Sequence, residues 1–507
     1  MIEALYALIT FLLHASTGWR YGYFRDELYF IACAKHLAWG YVDQPPLVAF
    51  AAWLAAPVGY ELVALRLGPI LAAAFTVFVT VALAGELGGG RFARGLAGAA
   101  AMLAPAYLLL GNTLTTTSFE PLSWTLVIYA CIRIVRAFPR REPRWWIALA
   151  FAVAFAAYGK YSIALLVAGL AVGLLLTPQR RVLTSWTLVA AGLAFLLLAP
   201  NLAWQATHAW PIVDVLRGDV THRPAFQNGL ALEYRNLAAN APAFVLEQLL
   251  YTNPFATVLW LAGLAAPFFL RSLRDLRFVT IGYAIAFVTA VALGAKGYYI
   301  VGIYASLFAV GAVAVERAAL WVRVGLTSAI VAFGLALMPL SLPLLSIDTL
   351  VAYTQALRLT GQNGAPAHLI QPIFAEEFGW GRLARDVARV YFSLPREVRQ
   401  RTAVYADTYG DAGALDFFGP RSSLPPAISS QNNYYLWGTR GQSGDVLVAV
   451  GASRINILRR YYRRVTLVAI STEPYKWIVE GPAPIYLCSD PVAPLSEFWP
   501  RLRWYGA

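Results

Sequence analysis

Residues 61–84 read ELVALRLGPILAAAFTVFVTVALA, a run of 24 residues with two charges, Glu61 and Arg66. At about 1.5 Å of rise per residue, roughly 20 apolar residues cross the hydrocarbon core of a bilayer as one helix. The run is long enough, and Arg66 within it is read as snorkelling toward an interface. Working outward, apolar runs recur near 4–19, 96–111, 121–138, 145–158, 161–177, 186–203, 244–270, 278–294, 301–316 and 326–345. The expectation is a polytopic α-helical membrane protein of about eleven spans. The first run lacks a basic leader and an A-x-A cleavage site, so it is read as a retained helix.

Composition agrees. Of 507 residues, 59% are hydrophobic and 13% charged, about half the charged fraction of an ordinary soluble domain. The net charge of +13 does not point to nucleic acid, because much of the arginine lies in short loops between apolar runs. The loops 85–95, 133–144, 178–185, 271–277 and 316–325 hold 14 Lys/Arg in 48 residues, against 8 in 101 for the loops between them. The positive-inside rule makes the first set cytoplasmic. Asp26, Glu27, Glu120, Lys160, His208, Lys296 and everything after about residue 345 then face outward. Cys33, Cys131 and Cys488 are scattered, with no zinc spacing and no disulfide framework.

The chain divides in sequence at residue 345. Residues 1–345 carry the spans, and 346–507 are ordinary in polarity. Phe378–Leu394 has helical periodicity, and Thr402–Ala406, Asp445–Val450 and Pro484–Cys488 read as buried strands, so the second part is expected to be a soluble α/β domain. Arg454, Arg459, Arg460, Arg463 and Arg464 read as a solvated helix face, preferred over a basic stretch that meets anionic headgroups or an anionic acceptor. The turn from Asp407 to Leu415 is glycine-containing but lacks the GxGxxG and Walker spacings, so no nucleotide site is assigned.

Carboxylates at the edge of an apolar protein are costly and call for a reason. Asp26 and Glu27 open the first outer loop. Neighbours on a helix point about 100° apart, so only one can address a reacting atom; the competing reading is helix capping. Glu120 precedes Pro121 after a polar loop and is either a site acid or a first-turn acid. Lys160 interrupts Tyr158-Gly159-Lys160-Tyr161, read as a turn between two short helices. Lys160, Lys296, Arg217 and Arg223, with Tyr161, Tyr298 and Tyr299 beside the two lysines, are the outward cations that would clamp a phosphate leaving group. Asp43, Gln44 and His208 are assigned to an acceptor-binding or structural loop. Asp26 and Glu120 are the candidate ligands should a divalent metal be used.

These pieces form an ordered set: Arg25-Asp26-Glu27, Tyr41-Val42-Asp43-Gln44-Pro45-Pro46-Leu47, Phe119-Glu120-Pro121, Gly159-Lys160-Tyr161, Trp204-Gln205 to His208-Ala209-Trp210-Pro211, Lys296-Gly297-Tyr298-Tyr299, Phe378-Gly379-Trp380 and Tyr409-Gly410-Asp411-Ala412-Gly413-Ala414. Across nearly the whole chain the set resembles the bacterial branch of glycosyltransferase family 39, which includes protein O-mannosyltransferases, aminoarabinose–lipid A transferases and lipopolysaccharide galacturonosyltransferases. The resemblance implies a GT-C fold with two juxtamembrane helices in the first outer loop. It implies a polyprenyl- or dolichyl-phosphate sugar donor and inverting transfer on the non-cytoplasmic face, to a lipid, glycan or protein acceptor. It maps the family's first-loop acid onto Asp26 and a second-loop acid onto Glu120. The aminoarabinose transferases carry a phosphate-contacting lysine before Pro-Pro; Gln44 stands there, so the charge falls to Lys296, Lys160 or an outer-loop arginine. A flippase for a polyprenyl-linked sugar and a non-catalytic membrane partner are the competing classes. The first would call for paired polar groups at mid-membrane.

Overall fold

The computed structural model describes residues 1–140, 142–221, 237–359, 372–451, 455–475 and 482–506. Its contacts group the chain into two compact units that are discontinuous in sequence. One comprises residues 1–19, 63–203 and 232–345; the other comprises 20–62, 204–231 and 346–507. The loop of residues 20–62 therefore folds with the C-terminal part of the chain.

The first unit is helical, and each of the eleven apolar runs contains helix. Five helices are long and apolar enough to cross a membrane: Leu62–Glu86, Ser185–Thr207, Arg271–Ala292, Gly297–Val315 and Leu320–Ser341. A sixth crossing is formed if the bent pair Ala241–Tyr251 and Ala256–Phe269 counts as one. The chain is thus a multi-pass membrane protein, and the eleven runs are not eleven straight spans. The run 244–270 bends by 108° because Asn253 adopts a left-handed backbone, φ 71°, ahead of Pro254. The Asn253 side chain holds the bend, accepting from the Phe255 amide and donating to the Ile330 carbonyl. The run 96–111 breaks at Leu103-Ala104, where Pro105 starts the helix Pro105–Leu110.

In a bilayer, helices gain little by burying apolar groups and associate through close packing of small residues. Helices Ala256–Phe269 and Tyr304–Val315 meet in this way: a Cβ on Gly263 would lie 2.3 Å from the Leu307 carbonyl oxygen, and one on Gly311 1.9 Å from that of Leu259. Buried Arg66 donates to the Gly18 carbonyl at 3.2 Å. It is therefore bound within the unit, where snorkelling was expected.

In the second unit the first loop forms two helices, Arg25–Ala34 and Leu47–Leu54, the pair that the family resemblance implies. The C-terminal part carries a five-stranded sheet: β1 Thr402–Ala406, β2 Ile428–Ser429, β3 Val446–Val450, β4 Tyr462–Ser471 and β5 Ala483–Pro491. Its order is β2-β1-β3-β5-β4. β1 runs parallel to β2 and β3, from Thr402 opposite Val446 to Ala406 opposite Val450, whereas β5 is antiparallel to β3 and β4. The helix and three strands expected from the sequence are present; β2 and β4 were not expected. The basic stretch is corrected. Arg459 and Arg460 end the helix Ile455–Tyr461, but Arg463 and Arg464 lie on the edge strand β4, and Arg454 lies outside the described residues. Strand β4 places charge on an edge, a usual device against edge-to-edge pairing; Arg464 pairs with Asp490 on β5 at 2.7 Å.

Candidate active site

Chemistry-bearing side chains gather in two clusters, one in each unit. In the second unit, Phe24 caps the helix Arg25–Ala34, and Glu27 in its first turn reaches back to accept the Phe24 amide at 2.9 Å. Glu27 is fully buried, so its carboxylate holds the helix start. Asp26 points elsewhere and stays a quarter exposed, at 26%. Its Oδ1 accepts from the Tyr409 hydroxyl at 2.9 Å and from Arg25 Nε at 3.2 Å. Arg25 in turn pairs with Glu376 at 3.5 Å.

Asp43 joins the same cluster. Its Oδ1 accepts from Tyr29 Oη and its Oδ2 from Asn432 Nδ2, both at 2.9 Å. Burial, with Asp26 adding to it, pushes the Asp43 carboxyl up to about 7 against the pull of those two donors. Asn432 sits at φ 47°, a conformation that asparagine tolerates better than most residues. Asn433 Oδ1 accepts the Val42 amide at 2.7 Å. Of the other loop residues, Gln44 is buried against Cys33 Sγ at 3.7 Å. His208 is exposed, bonds the Trp204 carbonyl through Nδ1 at 2.8 Å and stacks on the Trp204 ring. Arg217 is exposed on the helix Pro211–Thr221, and Arg223 lies outside the described residues.

In the first unit, helix Pro143–Gly159 ends at Lys160, which is extended, and the next helix starts at Ile163. The turn read from the sequence is therefore present. Lys160 Nζ donates to Thr117 Oγ1 at 2.8 Å and stands 3.8 Å from Glu120 Oε2. It also faces the rings of Tyr298 and Tyr299, at 4.7 and 4.0 Å from their centres. Ser162 hydrogen-bonds Glu120 Oε1. Glu120 is the first residue of the helix Glu120–Ala137, so it is a first-turn acid that also partners Lys160. Burial brings the Lys160 ammonium down to about 8; Glu120 opposes the shift, and the positive charge of Lys296 adds to it. The segment holding Lys296, Tyr298 and Tyr299 is fixed by helix Leu237–Tyr251, whose Gln248 Nε2 donates to the Gly297 carbonyl at 3.0 Å.

A family profile described as dolichyl-phosphate-mannose-protein mannosyltransferase matches residues 43–204. A comparison with curated proteins finds no significant match. Among solved structures, ArnT from Cupriavidus metallidurans bound to undecaprenyl phosphate superposes with a TM-score of 0.60, over 95% of this chain and 97% of that one, at 13% identity. The apo state of the same ArnT gives 0.61 over 96% and 97%, at 12% identity. The chain has the GT-C fold. At such identities the likeness speaks for the fold, and the chemistry of this GT-C chain has to be read from its own residues. The profile match covers Asp43, Gln44, Glu120 and Lys160 but neither Asp26 nor Lys296.

The donor sets fit a divalent metal poorly. Asp26 is neutralised by Arg25 and Glu120 by Lys160, and among the described residues no three of His, Cys, Asp and Glu gather as metal ligands. The sequence reading missed Tyr29, Asn432, Ser162, Thr117 and the anchoring Gln248. Tyr409 stood inside a quoted motif with no role given to it. Nothing local distinguishes these uncharged groups; only tertiary contact brings them to the acids and the lysine.

Proposed function

We propose that this GT-C chain is an integral-membrane glycosyltransferase. It moves a sugar from a polyprenyl-phosphate donor to a hydroxyl of a lipid, glycan or protein acceptor on the non-cytoplasmic face. Asp26 takes the acceptor's proton as its oxygen attacks the anomeric carbon. The bond from that carbon to the phosphate oxygen breaks with inversion, and the lipid phosphate leaves with an added negative charge. A phosphate is a good leaving group and needs no proton, so one base suffices. Lys160 and Lys296, flanked by Tyr298 and Tyr299, take the phosphate. Glu120 holds Lys160 in place, and Asp43 and Gln44 shape the loop beside Asp26.

One observation carries this reading. Lys160 is a largely buried cation, paired with Glu120 at 3.8 Å, with a single hydrogen bond, to Thr117. Two of its three N–H groups have no acceptor among the described residues, and a second lysine lies near enough to disfavour its charge. An ammonium with N–H groups left without acceptors is costly, and a phosphate oxygen supplies the missing acceptors and a second negative charge beside Glu120. The test is mass spectrometry of envelope glycans from cells with and without the gene. Loss of one glycan together with build-up of its polyprenyl-phosphate sugar supports transfer. An unchanged envelope, with flipping of labelled lipid in vesicles holding the purified chain, would replace the reading by transport.

A further inference from the structure

Parallel strands β1 and β2 end side by side, and the chain leaves each into a helix. In open α/β sheets the carboxyl ends of parallel strands are where ligands are usually held. Here that place grips the first outer loop of the same chain. Tyr409 follows β1; its backbone amide donates to Gln431 Oε1 at 2.7 Å, and Thr408 caps its helix by accepting the Asp411 amide. Asn432 and Asn433 follow β2 and hold Asp43 and the Val42 amide. The packing is tight. A Cβ on Gly413 would lie 2.8 Å from the Leu28 carbonyl carbon, and one on Gly410 2.4 Å from Arg25 Cγ. The glycines of Tyr409-Gly410-Asp411-Ala412-Gly413 thus let this helix lie against Arg25–Ala34.

We infer that Tyr409 is a positioning residue for Asp26: its hydroxyl and Arg25 Nε both bind Oδ1, which fixes the carboxylate and leaves Oδ2 to take the acceptor's proton. Among the described residues Oδ2 has no hydrogen-bond donor, and the side chain remains partly exposed. The Tyr409 ring is held in place, because it packs at a tilt against Tyr29 with centres 4.7 Å apart and lies under the Arg25 guanidinium at 5.4 Å. Burial raises the Tyr409 hydroxyl well above its usual value, so it stays a donor across the working pH range. The C-terminal part of the chain then sets the geometry of the base. This inference rests on Asp26 being that base.

The test uses the full-length chain added to envelope vesicles from gene-deleted cells, which supply the native donor and acceptor, with undecaprenyl phosphate as the binding probe. Tyr409→Phe keeps the ring and removes only the hydroxyl. It should slow transfer about 10- to 100-fold, the worth of one hydrogen bond to a charged group, with affinity for undecaprenyl phosphate and melting temperature unchanged. In an Asp26→Glu background, where the carboxylate is displaced by a methylene, the same substitution should cost less than about threefold. A wild-type rate in Tyr409→Phe, or an equal loss in both backgrounds, overturns the positioning role. Should Tyr409→Phe fail to accumulate, Gln431→Ala loosens the Tyr409 amide and should show a smaller loss of rate at unchanged affinity; loss of affinity instead overturns the role. The two readings separate cleanly: inactive Asp26→Asn beside fully active Tyr409→Phe removes only the positioning, whereas fully active Asp26→Asn removes the base and the positioning with it.

Discussion

Asp26 and Glu27 are neighbours with different work, and the difference comes from direction. Glu27 turns back to its own helix start and is buried there, whereas Asp26 turns to Tyr409 and Arg25 and keeps one oxygen open. Asp26→Asn should therefore abolish transfer while leaving folding and lipid-phosphate binding intact, as checked by turnover, melting and undecaprenyl-phosphate titration. Lys160 gives a pH signature. It carries its charge below about 8 and loses it above, so affinity for undecaprenyl phosphate should weaken as pH rises through that value, and Lys160→Gln should remove this dependence. Asp43 affects stability with a definite sign. Its folded pKa, about 7, lies above the unfolded value of 3.8; the folded state therefore holds the extra proton, and stability falls as pH rises from about 4 to about 7. Melting curves across that window should show the fall, and Asp43→Asn should flatten part of it.

Elements explain which of these features a reader of the sequence can see. Apolar runs announce helices because the bilayer demands length and internal hydrogen bonding, so helix appears in every run. Their bends do not announce themselves: the turn at Asn253 depends on a bond to Ile330, 77 residues on. Strand β4 was hidden because paired arginines at its start continue those of the preceding helix, and only its pairing with β5 declares it a strand. Asp26 was legible as a charge out of place, but its partner Tyr409 is 383 residues away and uncharged. The glycines near Tyr409 were visible, but nothing local assigned them a purpose. Gly413→Ala should force the helix Tyr409–Phe418 off Arg25–Ala34 and cost roughly 1–3 kcal/mol, read as a lower melting temperature with transfer impaired even where the protein folds.

At the scale of the whole molecule, the chain is a membrane-spanning helical unit and a second unit that joins the loop 20–62 to a small mixed sheet. In the proposed reading each unit supplies one requirement of the transfer: the Asp26 carboxylate in one, the Lys160 ammonium in the other. The GT-C fold shows the scaffold; the residues Asp26, Lys160 and Lys296 carry the proposed chemistry. The most direct measurement is the lipid and glycan content of gene-deleted cells complemented with wild-type or Asp26→Asn protein, read by mass spectrometry. The account predicts that wild type restores one envelope glycan, whereas Asp26→Asn, though present in the membrane at equal level, leaves that glycan missing and its polyprenyl-phosphate sugar accumulated. A glycan restored in full by Asp26→Asn would contradict it.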